Sequence, residues 1–215
     1  MYLKDIETRP AKGMTRIAFK RLRDTGETIP DILHLFRFKR RNTDHLVRFT
    51  EEVMRGPSPL PPGIRELIGA YFSKRNQYAF CSNAHAAAAA QFLEEGLVDE
   101  VLQDLESSRL DSAHKALFRY IGKLAENPTS VTASDITELK EAGWSEEAIY
   151  DALTVAAVFR FYNTWNAGAG VRSLTSSDYV YSGKVLKSLG YCMDFNLRRL
   201  FKITADTLRT MVRST

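Results

Sequence analysis

The sequence predicts an all-α domain. Apolar residues recur at helical spacing from Ile29 onward, no run alternates apolar and polar residues between turn signals, and prolines, glycines and capping residues punctuate the chain at helix-length intervals. With 215 residues, 44% hydrophobic and 26% charged, the composition is that of a soluble globular protein. The length suits one domain with terminal extensions better than two domains.

The elements follow in order. Pro30 suits the first turn of a helix carrying Ile32, Leu33, Leu35 and Phe36, and Asn42-Thr43-Asp44 offers caps for a second with Leu46, Val47, Phe49, Val53 and Met54 inward. Gly56-Pro57-Ser58-Pro59-Leu60-Pro61-Pro62-Gly63 then breaks the chain with a stiff loop. A helix over about 64–76 gathers Ile64, Leu67, Ile68, Tyr71 and Phe72 on one side. Another, over about 77–95, contains the alanine run Ala86 to Ala90 and ends at Gly96. Short helical patterns cover 98–105 and 111–126, the latter stopped by Asn127-Pro128. Thr132-Ala133-Ser134-Asp135 has the form of a capping box, and its helix ends at Gly143. Ser145-Glu146-Glu147 caps an apolar helix from Ala148 to about Trp165, expected to be central. The pattern weakens beyond Gly170, and residues 193–215 read as one amphipathic helix. The expected organisation is a basic N-terminal extension over 1–24, a helical domain over 25–191 and a C-terminal helical extension over 192–215.

Charge is unevenly spread. Residues 1–42 hold 11 Lys and Arg against 5 Asp and Glu, whereas the remainder holds 19 against 21. The densest basic stretch, Arg37-Phe38-Lys39-Arg40-Arg41, could meet an acidic surface, but cations at a helix end complementing its dipole explain it better, so nucleic acid is not the expected partner. No apolar run approaches the roughly 20 residues of a membrane span, and the first residues lack the apolar block of a signal peptide. Two cysteines, Cys81 and Cys192, are too few for a disulfide framework or a cysteine-built zinc site. A cytoplasmic protein with reduced thiols is expected, with no membrane partner, bound metal or cofactor.

Candidate chemistry concentrates in one segment. On a helix Tyr78, Cys81 and His85 share a face, with Cys81 and His85 one turn apart and within side-chain reach. Cys81 would stand near the N-terminus of its helix, where unpaired N–H groups and the dipole favour a thiolate. A thiolate attacks the O–O bond of a peroxide and leaves an alkoxide that needs a proton, which His85 could supply. Glu66, 15 residues before Cys81, could orient His85 if the two helices pack antiparallel. Glu66, Cys81 and His85 could also form an open metal site. Arg75 or Arg160 could hold an acidic substrate, and Trp165-Asn166 could line a pocket or simply pack.

Glu66, Cys81 and His85, set in Arg65-Glu66-Leu67-Ile68 and Ser73-Lys74-Arg75-Asn76, resemble the signature of the AhpD-like, or carboxymuconolactone decarboxylase, superfamily and of its peroxidase-related branch. The likeness runs from about Thr25 to Tyr191. It takes in Thr28-Ile29-Pro30-Asp31-Ile32-Leu33, Met54-Arg55-Gly56, Leu124-Ala125-Glu126-Asn127-Pro128, the stretch from Asp135 to Trp144, and Gly183-Lys184 with Leu186 and Gly190-Tyr191. The family pattern is Glu, then Cys-x-x-Cys, then a histidine four residues on. Its relay glutamate falls on Glu66, its second cysteine on Cys81 and its histidine on His85, but its first cysteine falls on Tyr78. The resemblance implies an all-α AhpD-like bundle that forms homo-oligomers with the site near subunit contacts.

In that family the two cysteines close a disulfide that a dithiol recycles, which Tyr78 cannot do, and nothing in the sequence brings Cys192 near. The expected activity is therefore reduction of a peroxide, or action on another small molecule, by Cys81 with an external thiol reductant. His85 and Glu66 would be the relay and Tyr78 a hydrogen-bond donor to the peroxide. Decarboxylase or lactonase chemistry without a thiol, and a non-catalytic helical assembly or binding module, are the alternatives.

Overall fold

The computed structural model describes residues 1–191, and the expected C-terminal helix over 193–215 and Cys192 lie outside them. Among the described residues there are eleven α-helices and no strand. They are α1 (Lys4–Thr8), α2 (Gly13–Asp24), α3 (Ile32–Phe38), α4 (Arg40–Arg55), α5 (Pro62–Arg75), α6 (Ala79–Ala89), α7 (Leu97–Gln103), α8 (Ser112–Glu126), α9 (Ala133–Glu141), α10 (Glu146–Ala169) and α11 (Ser176–Leu189).

The bundle is organised around α5. Every residue from Gly63 to Ser73 is buried, because α6, α8, α10, α7 and α4 all pack against this helix. The sequence pattern assigns one apolar side to α5 and centrality to α10, yet Arg65 and Glu66 are buried too. Arg65 donates from Nη1 to the Val53 carbonyl at 2.9 Å, and Glu66 is partnered as described below. Charged groups can enter a core when hydrogen bonds, as for Arg65, or ionic partners, as for Glu66, replace part of their hydration. The rest of the core comes from α8 (Leu117, Phe118, Ile121) and α10 (Ala152, Val155, Phe159).

The expected helix stops are partly met. Asp111, Ser145 and Thr175 cap α8, α10 and α11 through side-chain acceptors, and Thr132 with Asp135 makes the capping box of α9. Two boundaries differ. Helix α4 begins at Arg40, so Thr43 lies inside it with its hydroxyl donating back to the Lys39 carbonyl at 3.2 Å rather than capping. Helix α6 ends at Ala89, not Glu95. The chain turns there so that Phe92 and Leu93 fold over the start of α5 at Gly63, where an added Cβ would come within 2.8 Å of Phe92 Cβ. Gly96 accordingly opens α7 instead of closing α6.

Two regions had no strong sequence signal. The N-terminal segment contains α1 and α2 and is tied to the body. The Tyr2 amide donates to the Ala169 carbonyl at 2.8 Å, and Phe19, 5% exposed, meets the His34 ring at 5.2 Å. Arg37, the first cation of the basic stretch, turns back to the Ile6 carbonyl at 3.1 Å. It thus serves the C-terminal end of α1, the role a cation near a dipole's negative pole fills well. Helix α11, beyond Gly170, packs on α6 along most of its length.

Asp31 locks the N-terminal segment to the end of α10. It is 4% exposed and accepts from Arg172 Nε at 2.8 Å, Nη2 at 2.7 Å and the Arg172 amide at 3.0 Å, while Arg172 also reaches Glu7 at 2.5 Å. Burial would raise the Asp31 pKa, but the hydrogen bonds and charge of Arg172 outweigh it and hold the carboxyl below its ordinary value. Asp31→Asn is expected to lose about 1–3 kcal/mol of stability and to loosen α1 and α2. Limited trypsin digestion should then cut first between Lys12 and Arg23, faster than in the unaltered protein.

Candidate functional site

Helices α5 and α6 form a tight hairpin. Gln77 takes a left-handed conformation (φ 55°), the Tyr78 amide donates to the Ser73 carbonyl at 2.8 Å, and the chain reverses within three residues. This brings Glu66 of α5 beside His85 of α6, with His85 Nδ1 2.7 Å from Glu66 Oε2.

Glu66 is fully buried and accepts from three sides. Besides His85, Arg55 Nη2 donates to Oε1, and the Tyr191 hydroxyl lies 2.8 Å from Oε1 and 2.9 Å from Oε2. Burial on its own would raise the Glu66 pKa; the hydrogen bond from His85, with the charge and hydrogen bond of Arg55, outweighs it and holds the carboxyl below its ordinary value. Burial and the adjoining Glu66 charge push the Tyr191 phenol well up, so it stays protonated and donates. Arg55 is itself held between the Phe92 and Tyr191 rings, 5.3 and 5.1 Å from their centroids, and donates to the Leu186 carbonyl at 3.2 Å.

The His85 ring is fixed by shape as well. Phe159 meets it edge-on at 4.4 Å, and Tyr191 lies parallel to it at 6.1 Å. Phe159 reaches this position across Gly69, where an added Cβ would collide with the phenyl ring. With Nδ1–H donated to the carboxylate, the lone pair of Nε2 has no partner among the described residues and is available as a base.

Cys81 occupies the first turn of α6 but is not hydrogen-bonded to His85. It is 2% exposed, and its hydrogen bond comes from Asn166 of α10, whose Nδ2 donates to Sγ at 3.5 Å. Burial pushes the thiol up to about 12, and the Asn166 bond opposes this only in part. Burial thus opposes the thiolate that a position near a helix N-terminus favours. Tyr78 is the N-cap residue of α6, and its buried hydroxyl has no hydrogen-bond partner among the described residues. Burial, with the neighbouring Cys81 next in size, raises its pKa.

The structure thus joins Glu66 to His85 directly and places Cys81 and Tyr78 at the start of the same short helix without linking either to His85. Arg55, Tyr191 and Asn166 are additional members. Arg55 and Tyr191 lie in stretches that carry the family resemblance, yet they are far apart in sequence and no spacing rule connects them. Arg75 and Arg160 are used elsewhere. Arg75 pairs with Glu126, and Arg160 Nη2 donates to the Leu124 and Ala125 carbonyls at 2.7 Å at the end of α8. Among the described residues no group of three His, Cys, Asp or Glu side chains could hold a metal ion, and no helix is long and apolar enough to cross a membrane.

No protein-family model and no curated protein matches the chain. Solved structures do. An uncharacterised peroxidase-related protein from Silicibacter sp. TM1040 superposes with a TM-score of 0.69 at 19% identity, over 80% of this chain and 91% of that one. The alkylhydroperoxidase AhpD core of a peroxidase-related protein from Ralstonia eutropha JMP134 gives 0.68 at 19% identity, over 84% and 97%. The debrominase Bmp8, as a cysteine-to-alanine variant in complex with 2,3,4-tribromopyrrole, gives 0.64 at 15% identity, over 80% and 94%. The chain therefore has the AhpD-like fold of these structures.

Proposed function

We propose that the protein reduces small peroxides with a single cysteine and an external thiol. The observation that supports this best is the buried Glu66–His85 pair, which fixes the imidazole tautomer and leaves Nε2 as a base on the helix that carries Cys81. A neutral thiol with its pKa pushed up to about 12 must lose its proton as it reacts. In this reading His85 Nε2 takes that proton through one water while Sγ attacks the nearer peroxide oxygen. The S–O bond forms, the O–O bond breaks, and the departing oxygen takes the proton back as an alcohol or water. Sulfur is oxidised by two electrons to a sulfenic acid. One thiol then converts it to a mixed disulfide with loss of water, and a second releases Cys81 as the thiol.

A substrate as large as the halogenated ring bound to the debrominase would need room beside a cysteine that is 2% exposed, which favours a compact peroxide. The cytoplasm and a homo-oligomeric assembly remain the proposed setting.

The test is mass spectrometry of the protein after one equivalent of hydrogen peroxide. Cys81 should gain one oxygen that excess thiol removes, His85→Asn should slow the gain roughly 100-fold, and Cys81→Ser should show none at that site. A Cys81 left unmodified by peroxide would sink the proposal. Activity on an acidic lactone that survives Cys81→Ser would favour the decarboxylase alternative.

A further inference from the structure

The amide of Asn166 is only half used. Its side chain is fully buried, Nδ2 is spent on Cys81 Sγ, and Oδ1 has no hydrogen-bond partner among the described residues. A buried acceptor without a protein partner calls for an explanation, and a redox or catalytic role is one of the few that native structures supply. One turn back on the same face of α10, the equally buried Asn163 accepts the Ser73 hydroxyl on Oδ1 at 3.1 Å, while its own Nδ2 has no partner among the described residues.

The empty acceptor belongs to the same planar amide that touches the sulfur. A thiol offers Oδ1 only a weak S–H donor, whereas a sulfenic acid offers a strong O–H donor attached to that very sulfur. We propose that Asn166 is the receptor for oxidised Cys81, accepting the sulfenic hydroxyl on Oδ1 while Nδ2 remains on the sulfur side. This inference rests on the peroxidase reading and deepens it.

Two consequences follow from the chemistry. Over-oxidation requires the sulfenate anion to attack a second peroxide, forming a second S–O bond as another O–O bond breaks. An acceptor that holds the sulfenic proton disfavours that anion, so the reaction stops after one oxygen. Because the sulfur is almost enclosed, the reductant that clears the sulfenic acid is a compact monothiol rather than a protein dithiol.

The partition between one and two added oxygens, read by intact mass at rising peroxide, tests this. Asn166→Leu keeps the branching at Cγ and removes both polar ends; Asn166→Asp keeps an acceptor and loses the donor. At matched peroxide the two-oxygen share should rise roughly tenfold in the leucine variant, the scale of one lost buried hydrogen bond, and stay near the unaltered value in the aspartate variant. Circular dichroism checks folding, and if the leucine variant does not fold, Asn166→Ala takes its place. An unchanged partition in the folded apolar variant, or an aspartate variant that over-oxidises like it, overturns the role of Asn166 alone. Absence of any oxygen on Cys81 in the unaltered protein overturns the peroxidase reading and this inference with it.

Discussion

Glu66→Ala is expected to cost about 3–5 kcal/mol of folding stability, the scale seen when one partner of a buried ionic network is removed. The loss exceeds that of an ordinary surface carboxylate because Arg55, His85 and the Tyr191 hydroxyl all point at Glu66 and would face an empty space without it. Glu66→Gln, which keeps the shape, should cost less and should also show how the carboxylate is coupled to pH. Its pKa in the folded protein lies below the ordinary 4.5, so the carboxylate contributes stability above that value and loses it as pH falls through the folded value. The gap between the unaltered protein and Glu66→Gln should therefore be full at neutral pH and close under acid. Urea unfolding across a pH series measures it, and a gap independent of pH would contradict a charged Glu66.

Gly183→Ala should also be destabilising, by a smaller amount and for a different reason. A Cβ there would land on the Ala87 carbonyl oxygen, and both parties to the collision are helix backbone, so no side chain can swing aside. Helix α11 must move off α6, at a cost of about 1–3 kcal/mol or somewhat more. That movement carries the Leu186 carbonyl and Tyr191 away from Arg55 and Glu66, so the His85 site should loosen together with the fold. Gly168→Ala is the control. Nothing lies within 4 Å of its added Cβ and it sits on the exposed side of α10, so the change should be neutral or stabilising by about 0.5–1 kcal/mol. Thermal unfolding of the two variants side by side should separate them by several degrees; equal midpoints would show that α11 does not depend on this close approach.

The helical class and most helix positions were legible because caps, prolines and apolar spacing are local signals. Thr132 with Asp135 and Ser145 act in the fold as their sequence context suggests. What escaped was set by distance. Ala90 to Glu95 has nothing in it that forbids helix, and only the seat for Phe92 and Leu93 at Gly63 diverts the chain. The N-terminal helices have few buried residues and are rich in charge, so their low overall hydrophobicity hid an amphipathic α2. At the candidate site the pairing of Glu66 with His85 follows from a hairpin of two recognisable helices. By contrast, the partners Arg55, Tyr191 and Asn166 arrive from α4, from the segment after α11 and from α10. The burial of Cys81 was equally invisible, since the helix-terminal position is local in the sequence and the enclosing bundle that pushes the thiol up is not.

The contact of Phe159 across Gly69 reaches beyond packing. The ring that fills the space above the glycine is also the wall against His85, so the missing methyl group on α5 sets the tilt of an imidazole on α6 by way of α10. A larger residue at 69 would therefore need a smaller one at 159 if the ring of His85 is to stay where it is. The glycine on α5 and the orientation of the base are a single constraint.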